Sequence, residues 1–254
     1  MKIIKFCTVN NNFWNNIKNS ELYFNNLKEF NDPFEGIFRF KLWNNSDKIK
    51  LFYLEHFHGN PKKIDYMLEH PNELENLINQ TFEHRFINNG ITCFSDYKNL
   101  ESILMWSHYS SQHTGVCMSF DTKKLSFLPG NELYETNLKN GKLISAPNGP
   151  HKINYTKEYL DSDPLSGNLN QNTFLTTKFD VWKYENEYRY IAPIKGLFSY
   201  NPESITEVIF GLRTPNNTKV GVKNIFDELG LDIHYKKIEM EQNKFSFIVS
   251  EESF

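Results

Sequence analysis

Residues 182–191 read Trp182-Lys183-Tyr184-Glu185-Asn186-Glu187-Tyr188-Arg189-Tyr190-Ile191. In a β-strand successive side chains alternate between faces, so this stretch splits cleanly in two. Trp182, Tyr184, Tyr188 and Tyr190 fall on one side, and Lys183, Glu185, Glu187 and Arg189 on the other. The first side is a broad aromatic surface. The second sets two carboxylates and a guanidinium at steps of about 7 Å, two residues per step. That row suits the handling of a developing cation. It equally suits the solvated face of an ordinary half-buried antiparallel strand.

The regions around this strand predict its neighbours. Upstream, Thr173–Asp180 reads as a helix and Asp161–Asn172 as a polar loop. Downstream, Ile205–Gly211 reads as a strand, about 218–229 as a helix, and 232–240 and 244–251 as two further strands, with Gly230 suited to a helix C-terminus. At the other end of the chain, Lys2–Cys7 predicts a first strand. Asn10 or Asn11 caps a short helix through Asn19, and Glu21–Asn25 predicts a second strand. Phe30-Asn31-Asp32-Pro33-Phe34 reads as a tight turn with its phenylalanines pinned to the core: Asn and Asp bond the local backbone, and Pro fixes φ. Ile91–Ser95 predicts a strand, about 99–112 a helix closed by Gly115, and Val116–Asp121 another strand. Residues 122–150 are rich in breakers, and Lys152–Thr156 is a candidate strand. Between them, 46–89 is the most helical stretch: Leu74, Leu77, Ile78, Thr81, Phe82, Arg85 and Phe86 recur at helical spacing after Pro71, and Asn88-Asn89-Gly90 stops the run. The pattern predicts one α+β domain over 1–254. Its sheet is mixed and mostly antiparallel, and 46–89 is a helical insertion.

Composition narrows the function classes. The chain has 254 residues, 39% hydrophobic and 15% aromatic, enough for a substantial core. A net charge of −3 gives no basic excess of the kind that drives non-specific nucleic-acid binding. The opening Met1–Cys7 lacks the apolar run of a secretory signal, and no stretch approaches the 18 apolar residues of a membrane span. Three widely spaced cysteines, Cys7, Cys93 and Cys117, fit reduced thiols and predict a cytoplasmic protein without membrane association. The absence of a Cys-x-x-Cys pair argues against a zinc ribbon.

Several groups can carry chemistry. Met105-Trp106-Ser107-His108-Tyr109 lies late in the predicted helix, where Trp106, Tyr109 and His113 share a face. His108 and His113 are five residues apart, which is not the i, i+4 spacing of a helical zinc pair, so no metal site is expected. Trp106 also fits plain core packing, and His108 a hydrogen-bonded edge histidine. Asn31 and Asp32 can present an amide and a carboxylate to a cleft, or simply build the turn. Ser95 ends a strand, where ligand contacts often gather, but no Gly-x-Ser-x-Gly surrounds it. The sequence contains neither a phosphate-binding Walker loop nor a dinucleotide glycine fingerprint. A metal-dependent nuclease is disfavoured by spacing and charge alike.

Taken together, these segments resemble the bacterial family of domain of unknown function 2971. The resemblance rests on Leu22-Tyr23-Phe24 leading into Phe30–Phe34, Thr92–Ser95, Leu104–Tyr109, His113-x-Gly115, Val116–Asp121, Trp182–Arg189 and Ile205–Gly211. The pattern also looks like a divergent ADP-ribosyltransferase. Proteins of that kind place an Arg or His on an early strand, a Ser or aromatic on a middle strand and a Glu on a later one, and they cleave NAD at the nicotinamide–ribose bond.

That resemblance implies NAD as a substrate, Glu187 or Glu185 as the catalytic carboxylate, and His108 beside them. Ser95 would stand on the middle strand. Tyr109 or Trp106 would stack on nicotinamide, Arg189 would hold a phosphate or orient a Glu, and Glu185 would polarise the acceptor. Asn31 and Asp32 join the substrate-binding set. Partners would be a small-molecule nucleotide and a protein or nucleic-acid acceptor, in a defence system against phage or a toxin system. One departure stands out: the first strand reads Ile4-Lys5-Phe6-Cys7, with Cys7 where Arg is expected. It leaves room for another basic group in that role. It also keeps open the alternative of a non-catalytic module that binds a nucleotide or a protein, with the same residues forming a structural polar network.

Overall fold

The structure, a computed structural model, describes residues 1–35, 39–40, 65–66, 69–70, 72–73, 76–77, 79–80, 88–130, 133, 135, 137, 143–158, 161–162 and 171–254. In chain order the described elements begin with β1 (Lys2–Cys7), α1 (Asn11–Asn19), β2 (Glu21–Phe24), β3 (Arg39–Phe40) and β4 (Gly90–Asp96). There follow α2 (Ile103–Tyr109), β5 (Val116–Asp121), β6 (Phe127–Pro129), β7 (Asn148–Lys152), β8 (Asn154–Thr156) and β9 (Asp161–Ser162). The last are α3 (Gln171–Leu175), β10 (Thr177–Phe179), β11 (Glu187–Ala192), β12 (Gly196–Tyr200), β13 (Ile205–Phe210), α4 (Asn216–Glu228), β14 (His234–Met240) and β15 (Phe247–Glu251). The fold is α+β, as expected.

The chain divides into two compact units. The first comprises Met1–Asn25, Gly90–Ile153 and Lys183–Phe254. Its frame is an eight-stranded sheet in the order β15-β14-β13-β5-β1-β4-β11-β7, antiparallel except for the β13–β14 pair. A three-stranded antiparallel sheet, β2-β12-β6, faces it. One core fills the space between the two sheets and helices α1 and α4: Ile3, Phe94, Met118, Phe120, Tyr190, Val208 and Phe210 from the large sheet, Phe24, Phe127 and Phe198 from the small one, and Ile17 and Phe226 from the helices. A second cluster covers the opposite face, where Ile4, Cys117, Ile209 and Ile238 meet Leu100, Phe247 and the fully buried Trp106. Both faces of the central strands are thus buried, which explains why Val116–Phe120 is apolar on both sides except for the buried Ser119.

The second unit comprises Asn26–Asn89 and Asn154–Trp182. The 46–89 stretch lies in it. Residues 65–66, 69, 72–73, 76–77 and 79–80 are helical, and Leu74, Ile78, Thr81, Phe82, Arg85 and Phe86 lie outside the described residues. Asp32 starts a turn, with the Phe34 N–H donating to its Oδ1 at 2.9 Å and the Glu35 N–H to its carbonyl at 3.1 Å. Pro33 and the Asx bond therefore act as read from sequence. Phe34, however, is 52% exposed and meets Phe179 edge-on, so it does not pin the turn to a core. Lys178 is buried beside Glu35 at 3.8 Å and lies 5.1 Å from the centre of the Trp182 ring.

Three expected elements differ. The strand predicted over 182–191 starts only at Glu187, because Asp180–Glu185 winds as a 3-10 helix and Asn186 takes a left-handed φ of 44°. Asn tolerates that conformation through local side-chain bonding. The helix predicted over 99–112 is a 3-10 turn, Tyr97–Glu101, followed by α2. It then ends in three consecutive left-handed residues, Ser111, Gln112 and His113. The helix predicted near Thr173–Asp180 stops at Leu175, and Thr177–Phe179 pairs with β8 as a strand.

Candidate functional site

The large sheet brings three distant segments into line. β4 lies between β1 and β11, with Ser95 opposite Ile4 on one side and Glu187 on the other. One step along, Cys93 is opposite Arg189. Paired residues of antiparallel strands project to the same side. Ser95, Cys93, Glu187 and Arg189 therefore share the Ile4 face, the one packed by Trp106.

The expected face of two carboxylates and a guanidinium is built differently from a strand row. Glu187 and Arg189 do alternate on β11, but neither is solvated: Glu187 is 3% exposed and Arg189 0%. Arg189 Nε donates to Glu187 Oε1 at 2.7 Å and Nη2 to Oε2 at 3.4 Å, a charge-assisted pair along one strand. Of the two roles read for Arg189, its geometry is that of orienting a glutamate. The Cys93 thiol lies against the same carboxylate; burial first, and then the Glu187 charge, push its pKa well above the usual thiol value. On the aromatic side only Tyr188 and Tyr190 remain on the strand.

Glu185 belongs to the turn before β11, and a polar clasp holds that turn. The Ser95 hydroxyl donates to the Glu185 carbonyl at 2.7 Å. Asn99 Nδ2 donates to the same carbonyl at 2.7 Å and to that of Tyr184 at 2.9 Å. Asn186 Nδ2 donates to Asn99 Oδ1 at 2.9 Å, and the Asp96 N–H to the Asn186 carbonyl at 3.0 Å. The Glu185 side chain, 3% exposed, accepts a hydrogen bond from the Tyr109 hydroxyl. So α2 and the Glu turn, 76 residues apart in sequence, are joined at a carboxylate.

The remaining expected residues divide. His108 is exposed on α2, its ring centroid 6.3 Å from that of Tyr109 and 6.4 Å from that of Tyr184. Trp106 is a core residue: its ring is sealed, meets Phe6 edge-on, and its Nε1–H donates to the Leu100 carbonyl at 2.6 Å. It has no face left to stack on a ligand. Ser95 is buried and spends its hydroxyl on the turn. Asn31 is exposed and Asp32 buried, both in the second unit. His113 does not share a helical face with Trp106 and Tyr109; it lies beyond α2 and folds back so that its Nε2 is 3.0 Å from Ser107 Oγ. Burial, then Arg213, lowers its pKa.

Asn99 and Asn186 were not singled out from sequence. An Asn between two glutamates just before a strand, Glu185-Asn186-Glu187, is the available signal for Asn186, since Asn favours left-handed turns. For Asn99 no sequence signal exists, because its partners are 85 to 87 residues away. On β1, pairing to β4 is limited to Ile3 and Ile4. Beyond that point the Lys5 ammonium donates to Thr92 Oγ1 at 3.0 Å and to the Cys93 carbonyl at 2.8 Å. Cys7, at the position expected for Arg, is pushed up to about 11 by burial, which Lys5 partly offsets. It remains a neutral thiol near pH 7 and offers no charge to a phosphate.

Residues 105–190 match the model of a family described as "Protein of unknown function (DUF2971)". This stretch carries Met105–Tyr109, His113, Gly115, Val116–Asp121 and the 182–190 run, and so holds both glutamates and the tyrosine that joins Glu185 to α2. No curated protein and no solved structure matches the chain. Among the described residues, no group of three or more His, Cys, Asp or Glu is disposed to hold a metal ion, and no helix is long and apolar enough to cross a membrane.

Proposed function

We propose that the protein cleaves NAD at the nicotinamide–ribose bond, as an ADP-ribosyltransferase or NAD glycohydrolase. The observation that carries this reading is the convergence on one sheet face of the Ser95 strand, the Glu187 strand and the Tyr109 helix, with Glu185 at their junction. The early, middle and later strands of the resemblance are neighbours in the sheet, which supports the reading further.

The chemistry assigns the two glutamates different work. As the C–N bond breaks, its electron pair neutralises the nicotinamide ring nitrogen and positive charge grows on the ribose as an oxocarbenium ion. Water or another nucleophile attacks that carbon and loses a proton. A carboxylate near the ribose lowers the energy of the charged state by about 3 kcal/mol, roughly 100-fold in rate. Glu187 is paired to a guanidinium at 2.7 Å, so its net field is small. Glu185 accepts from Tyr109 where the turn before β11 meets α2. From that position we assign Glu185 to the substrate and Glu187, held by Arg189, to the positioning of the strand. Nicotinamide release from NAD tests this. Glu185→Gln should lose about 100-fold, and activity unchanged by that substitution removes the assigned role.

The second reading, a non-catalytic module that binds a nucleotide or a protein, is favoured by Cys7 in place of Arg and by the burial of the Glu187–Arg189 pair. On it the polar network is wholly structural. It predicts no nicotinamide release from the unaltered protein at any acceptor concentration.

A further inference from the structure

The large sheet ends in two strands of opposite character. β7, at one edge, carries Pro150 and Lys152, and its register against β11 shifts partway along. Proline lacks an N–H, a shifted register interrupts the ladder, and a lysine ammonium resists burial. These are the devices by which proteins keep an open edge from pairing. β15, at the other edge, reads Phe247-Ile248-Val249-Ser250-Glu251, is paired to β14 in unbroken register and carries none of them.

The outward bonding groups of β15 follow from its inward ones. The Glu241 N–H donates to the Ser246 carbonyl and the Glu252 N–H to the Tyr235 carbonyl, both at 3.0 Å. Bonding alternates along an antiparallel strand. Ser246, Ile248, Ser250 and Glu252 therefore bond towards β14, and the N–H and C=O of Phe247, Val249 and Glu251 point away from it. Among the described residues no strand lies on that side. Phe247 and Val249 pack their side chains into the Trp106 cluster, while Ile248, on the opposite face, is 42% exposed.

A second copy of the same edge fits these groups in one register. Outward residues must meet outward residues, so a two-fold axis passes through a residue of the strand. On Val249 it would set Phe247 against Glu251 and Ile248 against Ser250. On Phe247 it would carry the strand past its own start, onto the turn. On Ile248 it sets Ile248 against itself, Phe247 against Val249 in both directions, and Ser246 against Ser250. Apolar then meets apolar, and hydroxyl meets hydroxyl. Lys244, in the turn before the strand, comes to the side of Glu251 and Glu252 of the other copy, so the charges are complementary as well.

We propose that this edge is an interface between two copies of the chain: β15 pairs antiparallel with β15 of the second copy about an axis through Ile248, joining the two large sheets into one. Phe247 and Val249 exchange backbone hydrogen bonds across the seam, and the exposed Ile248 is covered by its twin. The interface is independent of NAD cleavage.

Sedimentation equilibrium of the whole chain at rising concentration tests this and should show a monomer–dimer equilibrium. Ile248→Lys sets two ammonium groups face to face on the axis and should weaken the dimer at least about tenfold. Leu128→Lys, at an exposed residue of β6, should leave it unchanged. Both positions are exposed, so neither change disturbs the core. Under mild oxidation Ile248→Cys should yield a disulfide-linked dimer, since residues facing each other between hydrogen-bonded pairs have Cα atoms about 4.5 Å apart, within disulfide reach. Val249→Cys, whose twin is out of register, should link far more slowly. A chain that stays monomeric at every concentration, a dimer indifferent to Ile248→Lys, or faster linking through Val249→Cys overturns the proposal.

Discussion

The Glu187–Arg189 pair makes a quantitative demand on the fold. Both groups are sealed from water, and Nε lies 2.7 Å from Oε1. Replacing Arg189 with Met keeps the strand and much of the volume but removes the guanidinium that faces a carboxylate in a dry site. Breaking a buried pair on one side costs about 3–5 kcal/mol, because the desolvation already borne by the surviving ion is no longer offset. That is a large share of the roughly 5–15 kcal/mol that holds a domain together. At about 2–4 °C per kcal/mol it lowers the melting temperature by roughly 6–20 °C. Removing both charges, in Glu187→Met/Arg189→Met, should recover most of the loss, since apolar replacement of a whole buried pair is often neutral. Urea unfolding followed by tryptophan fluorescence, completed as a double-mutant cycle, reads both quantities. An Arg189→Met variant within about 1 kcal/mol of the parent, or a double variant no better than the single one, would refute the argument that the pair is closed to water.

Other consequences follow from the same geometry. Asn99→Ala removes the donor that serves both the Tyr184 and Glu185 carbonyls, so chemical denaturation should show a loss of about 1–3 kcal/mol, with little loss meaning that the turn holds itself. Glu207 sits between Lys236 at 2.7 Å and Lys2 at 3.2 Å. Burial alone would raise its pKa, but the hydrogen bonds from Lys236, Tyr97 and Lys2 outweigh burial and lower it from 4.5. A lowered native pKa gives stability that is complete above 4.5 and lost as pH falls through the native value. Stability–pH curves of the parent and Glu207→Gln should accordingly differ at neutral pH and converge in acid; a constant offset would contradict this. Burial raises the pKa of all three thiols, that of Cys7 to about 11. Alkylation by iodoacetamide at pH 8 should thus be slow in the folded protein and fast in urea, while rapid native labelling of Cys93 would show its environment to be wetter than described.

Much of the frame could be read from the chain. Lys2–Cys7 and Val116–Asp121 are legible to the residue, because central strands buried on both faces set apolar residues next to each other, here Ile3-Ile4 and Val116-Cys117-Met118. The Asn10 cap and the Asp32 turn were legible because their side chains bond backbone two or three residues away. The 182–191 stretch was misread at its start. Aromatic and charged residues alternate from Trp182 to Tyr190 with Asn186 the one exception, yet the Ser95–Asn99 clasp bends the chain there, and donors almost ninety residues away leave no local trace. For the same reason Trp106 passed as a ligand platform: nothing in Met-Trp-Ser-His-Tyr tells which ring points at the sheet. The left-handed run at Ser111–His113 was likewise hidden, since none of its residues is glycine.

The most direct test is nicotinamide release from NAD by the pure protein, measured for the parent, Glu185→Gln and Glu187→Gln at matched folded fractions. The parent should turn over, Glu185→Gln should fall about 100-fold, and Glu187→Gln should fall less and lose stability. A parent that releases no nicotinamide, or one whose rate survives Glu185→Gln intact, would contradict the proposed cleavage of NAD.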